Sequence, residues 1–304
     1  MTTAQLARTL YIVAANGIRY AYRKLGQIGG VPLVMHNHYR SNMDYWDPLL
    51  VNALAAQRPV ILFDQAGTGR SGGEVATTYS GWADHVIELT KAIGIDQFDL
   101  LGFSMGGATA QMVALKAPRR VRKLVICGSF PSVPGPNSDI SGIVWPQVQA
   151  DPKHLKELSA EAESCDPAEA IAFSFFYNTD EGRAHARAYW NRVLERKVED
   201  EPIMTRLLND EGSKRQMIAA GDWLKHNPEN SYDRLRELRM PVLIMNGDND
   251  YLIPTSRSWE LLIKIENAQL IIYPKAGHGF LYQYATLVAQ HVNMFLDGFG
   301  EAKL

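Results

Sequence analysis

Two glycine-flanked serines and one glycine-flanked histidine are the residues of this chain whose setting suggests chemistry. The pattern Gly-x-Ser-x-Gly occurs at Gly102-Phe103-Ser104-Met105-Gly106, followed by Gly107, and again at Gly69-Arg70-Ser71-Gly72-Gly73. The spacing alone decides little, because glycine is common. A nucleophile elbow needs a strand running into a tight turn and then a helix, with glycines relieving the crowding around the serine. Ser104 has that context, with Asp99-Leu100-Leu101 before it and Ala108-Thr109-Ala110-Gln111-Met112 after it. Ser71 is followed by Glu74-Val75-Ala76-Thr77-Thr78 and reads as loop structure. Ser104 could instead be a helix N-cap. A plain cap, however, does not need three glycines within six residues.

A serine hydroxyl is a weak nucleophile at neutral pH. It needs an imidazole within reach, and the imidazole needs a carboxylate to fix its tautomer and stabilise its charge. In a parallel sheet such groups collect at the carboxyl ends of strands. The segment 242–245 reads as a strand and leads into Asn246-Gly247-Asp248-Asn249-Asp250; the segment 269–273 leads into Ala276-Gly277-His278-Gly279. The expected set is Ser104 as nucleophile, His278 as base and Asp250 as the group that orients the base. Asp248, next to Gly247, reads as a turn residue. The strand before residue 128 offers no carboxylate until Asp139. His85, His226 and His291 fall on presumed helix surfaces, and His154 and His185 fall within a long insertion.

The elements that must position these groups alternate. A hairpin (10–14, the Asn16-Gly17 turn, 18–25) is followed by strands at 31–35, 59–63, 98–103 and 121–127 and helices at 46–57, 79–93 and 105–116. This predicts a mostly parallel twisted sheet with helices on both faces, an α/β fold. From 131 to 239 the strand signal stops. A proline-rich opening gives way to helical stretches at 153–164, 167–177, 181–198 and 211–226. The alternation resumes with 242–245, a helix at 256–265, a strand at 269–273 and a helix at 281–296. Residues 1–130 and 240–304 therefore read as one core, with 131–239 as an inserted helical lid rather than a second domain.

The elbow GFSMGG, the acid loop GDNDYLIP and the histidine loop AGHGF together resemble the α/β-hydrolase superfamily, in order and spacing, over nearly the whole chain outside the insertion. The Asp64-Gln65-Ala66-Gly67-Thr68-Gly69-Arg70-Ser71 stretch is similar to a structural loop of that family. One segment departs from the pattern. Counting back from Trp46, the usual His-Gly-aromatic triplet becomes Asn37-His38-Tyr39. The resemblance then implies that the backbone amides of Met105 and Tyr39 form the oxyanion hole. It also puts His38 where a glycine is usual, either as a substrate contact or as packing. The His36-x-His38 spacing suits a metal pair, but no carboxylate or cysteine cluster supports one. No cofactor is implied.

Composition limits the partners. The net charge is −2, with 46% apolar and 21% charged residues and no long charged block. Nothing points to nucleic acid or an anionic membrane. The expected partner is a small molecule, and the oligomeric state is open. No apolar run approaches membrane-spanning length, and the first residues lack a secretory layout, so an intracellular, cytoplasmic location is expected. Ala302-Lys303-Leu304 resembles the peroxisomal address Ser-Lys-Leu, which would count only in a eukaryote; the plainer reading is a frayed helix end. Cys127 and Cys165 are too few for a disulfide scaffold, and Cys127 reads as a small core residue.

The insertion is rich in aromatics, among them Trp145, Phe173, Phe175, Phe176, Tyr177, Tyr189, Trp190 and Trp223. Most would form its own core. A lid here would close over Ser104 and exclude water. The resulting expectation is a serine hydrolase acting on a neutral, largely apolar ester or lactone through an acyl-enzyme. Two alternatives use the same scaffold. One is cofactor-free lyase, isomerase or oxygen chemistry with His278–Asp250 as base; the other is a hydrolase-like ligand receptor. Halide-displacing and epoxide-opening relatives need an aspartate at the elbow, so Ser104 argues against them.

Overall fold

The computed structural model of the chain describes residues 2–26, 29–136 and 166–298. Residues 145, 153–164, 165 and 302–304, singled out above, lie outside them. Eight strands form one sheet: β1 (Leu10–Val13), β2 (Arg19–Leu25), β3 (Leu33–His36), β4 (Val60–Phe63), β5 (Phe98–Phe103), β6 (Val121–Cys127), β7 (Val242–Gly247) and β8 (Ala268–Tyr273). Their order is β1-β2-β4-β3-β5-β6-β7-β8. The β1–β2 and β2–β4 pairs are antiparallel, and every later pair is parallel.

The parallel strands are apolar on both faces because both faces are covered. Leu33, Met35, Leu101, Val125 and Leu243 join one core with α1 (Pro48–Ala55) and α9 (Ala285–Leu296). Val34, Leu100, Leu124, Ile126 and Ile244 join another with α2 (Tyr79–Ala92) and α3 (Met105–Lys116). Two of these helices start on side-chain caps. Asp47 accepts from the Leu49 N–H at the head of α1, where Pro48 follows, and Thr78 accepts from the Gly81 N–H at the head of α2.

Three helices lie in the described part of the insertion: α4 (Pro167–Phe175), α5 (Asp180–Val193) and α6 (Asp210–Trp223). Its ends are fastened together. The Ser132 N–H donates to Ser231 Oγ (3.2 Å), and the Tyr232 N–H donates to Ser132 Oγ (2.8 Å). Among its described residues the only strand-like pairing is a single bridge, Val133 with His226. The α5 helix stops five residues before the sequence suggests, at Val193 rather than 198. Beyond that end, Arg196 turns into the protein and binds Glu201 (2.6 Å). The last helix is broken at Tyr284 (φ −108°, ψ 34°), which separates α8 (Phe280–Gln283) from α9; α7 (Ser256–Lys264) precedes them. The Tyr284 hydroxyl donates to Pro274 O at the break (2.9 Å). No described helix is long and apolar enough to cross a membrane.

The insertion is anchored on the loop between β3 and α1. Arg192 grips Asp47, with Nη2 2.6 Å from Oδ2, and Tyr189 donates to Tyr45 O (2.7 Å). Asp44 is the centre of a buried charge cluster. Its Oδ1 lies 2.6 Å from Arg23 Nη1 and its Oδ2 2.7 Å from Arg70 Nη1, with Arg196 Nε 3.9 Å away. The Met204 N–H adds a hydrogen bond to Oδ2 (2.8 Å). Burial alone would raise the Asp44 pKa; Arg23 and Arg70 outweigh it, and the carboxyl sits below its ordinary range. A depressed folded value means that this stabilisation is present at neutral pH and is lost as acid titrates the folded carboxyl. Asp44→Ala leaves three guanidinium groups facing one another without their shared anion. The expected loss is about 3–5 kcal/mol, read from urea unfolding at pH 7. A loss under about 1 kcal/mol would mean that the cluster is not holding the insertion down.

Candidate active site

The site is built on the bend between β5 and α3. Ser104 has φ 57° and ψ −121°, a left-handed setting that is costly for a residue with a side chain. Its N–H donates to Cys127 O on β6 (2.9 Å), and its carbonyl accepts from the Gly107 N–H (2.8 Å). Its side chain makes no capping hydrogen bond, which removes the N-cap reading. The neighbouring glycines provide room. A Cβ on Gly102 would strike the Gly106 carbonyl, and one on Gly106 would strike the carbonyls of His36 and Asn37. The loop after β3 therefore runs directly past the N-terminus of α3. That end carries Met105, whose amide belongs to the first turn, where intrahelical acceptors are absent.

His278 and Asp250 meet from the ends of β8 and β7. Nδ1 of His278 lies 2.6 Å from Asp250 Oδ2, and both side chains are fully buried. Asp250 is itself held on both sides. Its Oδ1 accepts the N–H groups of Leu252 and Ile253 (2.9 Å each). Its own N–H donates to Thr255 Oγ1, which donates in turn to Gly247 O (2.7 Å). Asp248 does different work. It accepts from Tyr177 Oη (2.7 Å), the Lys275 N–H (2.9 Å) and the Ala276 N–H (3.1 Å), so it staples the β7 loop to the histidine loop. The other imidazole nitrogen, His278 Nε2, is buried and makes no hydrogen bond. Phe103, the residue before Ser104, packs on this ring with centroids 4.8 Å apart.

The glycines around His278 are explained by the insertion. The Gly279 N–H donates to Phe175 O at the end of α4 (2.7 Å). A Cβ on Gly277 would lie 2.9 Å from that carbonyl, and one on Gly279 would lie 2.8 Å from Phe175 Cβ. The Phe175 ring then sits 5.1 Å from His278 and 4.9 Å from His38. Phe175, Tyr177 and Thr255 are the residues that sequence reasoning did not assign. The glycine pair was a signal that some other backbone approaches, but not which one.

The Asn37-His38-Tyr39 segment starts beside the N-terminus of α3, where a Cβ on Gly106 would meet the Asn37 carbonyl. The Asn37 side chain accepts from the His38 N–H (2.9 Å) and donates to Asn42 O (3.0 Å). Tyr39 is half-buried in the turn leading to Arg40, which has φ 58°. The two histidines have separate surroundings. His36 stacks on Trp82 (5.8 Å, 12°) and meets Phe63 edge-on, whereas His38 lies among Tyr45, Phe103 and Phe175. Burial pushes the His36 pKa down to about 4 and that of His38 to about 3. Burial also pushes the Cys127 thiol well up, as suits a core residue. Ser71 is structural: its hydroxyl donates to Asp64 O (2.7 Å) and accepts from the Ala21 N–H (2.9 Å).

Residues 30–283 match the model of the α/β hydrolase fold family, and the chain belongs to that family. Its relatives support hydrolysis as the reaction class. The chain is similar to an α/β hydrolase fold protein from Chitinophaga pinensis, at 32% identity and a TM-score of 0.83, over 97% of this chain and 99% of that one. It is 27% identical over 291 residues to a 2-hydroxymuconate semialdehyde hydrolase from Pseudomonas sp. (strain CF600), covering 93% of this chain and 92% of the relative. Its backbone also resembles that of the esterase RhEst1 from Rhodococcus sp. ECU1013, with a TM-score of 0.70, 22% identity and coverage of 96% and 99%. At that identity the likeness concerns the fold alone.

Proposed function

We propose that the protein is a serine hydrolase of neutral, largely apolar esters or lactones, with Ser104, His278 and Asp250 as its catalytic residues. The observation that carries this reading is the orientation of one imidazole. Nδ1 is tied to a fixed carboxylate, and Nε2 is buried beside the elbow without a partner. Ser104 Oγ bonds to the substrate carbonyl carbon as His278 Nε2 takes the hydroxyl proton, and Asp250 stabilises the imidazolium. The amides of Met105 and Tyr39 hold the carbonyl oxygen as it becomes an anion. The imidazolium then gives its proton to the departing alkoxide, leaving an acyl-serine. Water, deprotonated by the same imidazole, releases the acid and restores the serine.

In this reading residues 1–130 and 240–304 form the catalytic core, and 131–239 form the lid. Phe175 covers both imidazoles, so it must withdraw before a substrate enters. The aromatic walls around the site favour a substrate with little charge. The test is active-site labelling with fluorophosphonates, read by intact mass. A small alkyl fluorophosphonate is expected to add once to the wild type, at Ser104, and not to Ser104→Ala. Phe175→Ala is expected to speed labelling by a bulky aryl reagent more than by the small one. Equal labelling of Ser104→Ala would remove the nucleophile. Equal acceleration for both reagents would remove the covering role of Phe175.

A further inference from the structure

His38 has chemistry that the triad leaves unused. Its Nδ1 lies 3.0 Å from Tyr39 O. A carbonyl can only accept, so Nδ1 carries the ring proton and Nε2 presents a lone pair. That Nε2 is buried and has no hydrogen-bond partner. The residue is only 6% exposed, and its ring is walled by Tyr45, Phe103 and Phe175. Phe103 and Phe175 are also the walls of His278. The two imidazoles are close enough that charge on His278 disfavours charge on His38. The chain thus keeps a buried acceptor with no protein donor beside the proposed base. A buried acceptor left without a donor is destabilising, and an apolar residue of similar size would fill the space without that cost.

Resting on the hydrolase reading above, we propose that His38 Nε2 accepts a hydrogen bond from the substrate, and that the preferred substrates carry a hydroxyl or N–H next to the scissile carbonyl. The loop that bears His38 also bears Tyr39, the proposed oxyanion donor, and His38 shares the walls Phe103 and Phe175 with His278; a donor on the carbon beside the scissile carbonyl is the group assigned to it. A lone pair there rejects an ether or a second carbonyl oxygen, and a methylene leaves it unpaired. Discrimination arises because the wrong substrate buries an unpaired acceptor.

The experiment compares three methyl esters with the full-length protein: butanoate, 2-hydroxybutanoate and 2-methoxybutanoate. Their kcat/KM values are measured by pH-stat. The hydroxy ester is expected to exceed each of the others by at least about tenfold. His38→Leu is expected to bring the three values within about threefold of one another. His38→Gln, which keeps an acceptor, is expected to retain most of the preference. A role confined to packing would lower all three values together and leave their ratios standing. Wild-type indifference to the hydroxyl, or a ratio unchanged in His38→Leu, overturns the proposal while hydrolysis by Ser104 stands. Undiminished turnover of all three esters by Ser104→Ala overturns Ser104 as the nucleophile, and with it the serine-hydrolase reading.

Discussion

Ser104→Gly is expected to yield a protein about 1 kcal/mol more stable than the wild type and inactive on esters by about 10⁶-fold. Both effects come from the same backbone bend. With φ at 57° and ψ at −121°, the serine backbone is strained by its own Cβ. Such strain costs about 1–3 kcal/mol, and glycine avoids it. Glycine also frees the unfolded chain, which returns about 0.5–1 kcal/mol of that gain. Ser104→Ala is the control. It removes the nucleophile equally but keeps the Cβ and therefore the strain. Thermal unfolding should rank glycine above alanine by about 1.5 °C, while neither variant turns over ester. If the glycine variant melts no higher than the alanine variant, the bend is not storing strain.

The sequence revealed most where a local rule and the global fold agree. The bounds of β5, α3 and β6 match the expected segments because apolar runs there meet glycine or proline at their ends. The residues proposed as a triad could be picked out because each follows a strand of the same parallel sheet, and topology alone gathers strand ends. Asp250 could be preferred over Asp248 because Asp248 sits in the tight turn, although its staple to Tyr177 and the histidine loop could not be seen. The charge cluster was invisible. Arg23, Asp44, Arg70 and Arg196 come from four distant segments, and no local pattern links them. The same limit hid Phe175. Its helix was readable, but which of many aromatics reaches the imidazoles depends on how Arg192 and Tyr189 dock the insertion onto Asp47 and Tyr45. The break at Tyr284 had no warning, since neither glycine nor proline marks it.

Asp250→Asn is expected to lower ester kcat/KM by about 10⁴-fold with the fold intact. The change swaps one oxygen for one nitrogen, so the effect must come from proton placement. Asp250 Oδ1 accepts two backbone N–H groups, from Leu252 and Ile253, at 2.9 Å each. An amide NH₂ cannot accept, so the asparagine must keep its oxygen on that side. Its NH₂ then occupies the place of Oδ2, 2.6 Å from His278 Nδ1. A donor facing Nδ1 requires a lone pair there, and the neutral ring carries its single proton on Nε2 instead. In the proposed mechanism Nε2 must instead present a lone pair to take the serine proton. The nucleophile cannot be deprotonated, and the imidazolium, once formed, would have no counter-charge. Nitrogen-15 shifts of the imidazole give the direct test, with the protonated nitrogen moving from Nδ1 to Nε2. Asp248→Asn provides the contrast. It disturbs a loop staple rather than a tautomer, so it should cost less than about 10²-fold in activity and about 1–2 kcal/mol in stability. A deep loss in Asp248→Asn beside a mild one in Asp250→Asn would reverse the assignment of the acid.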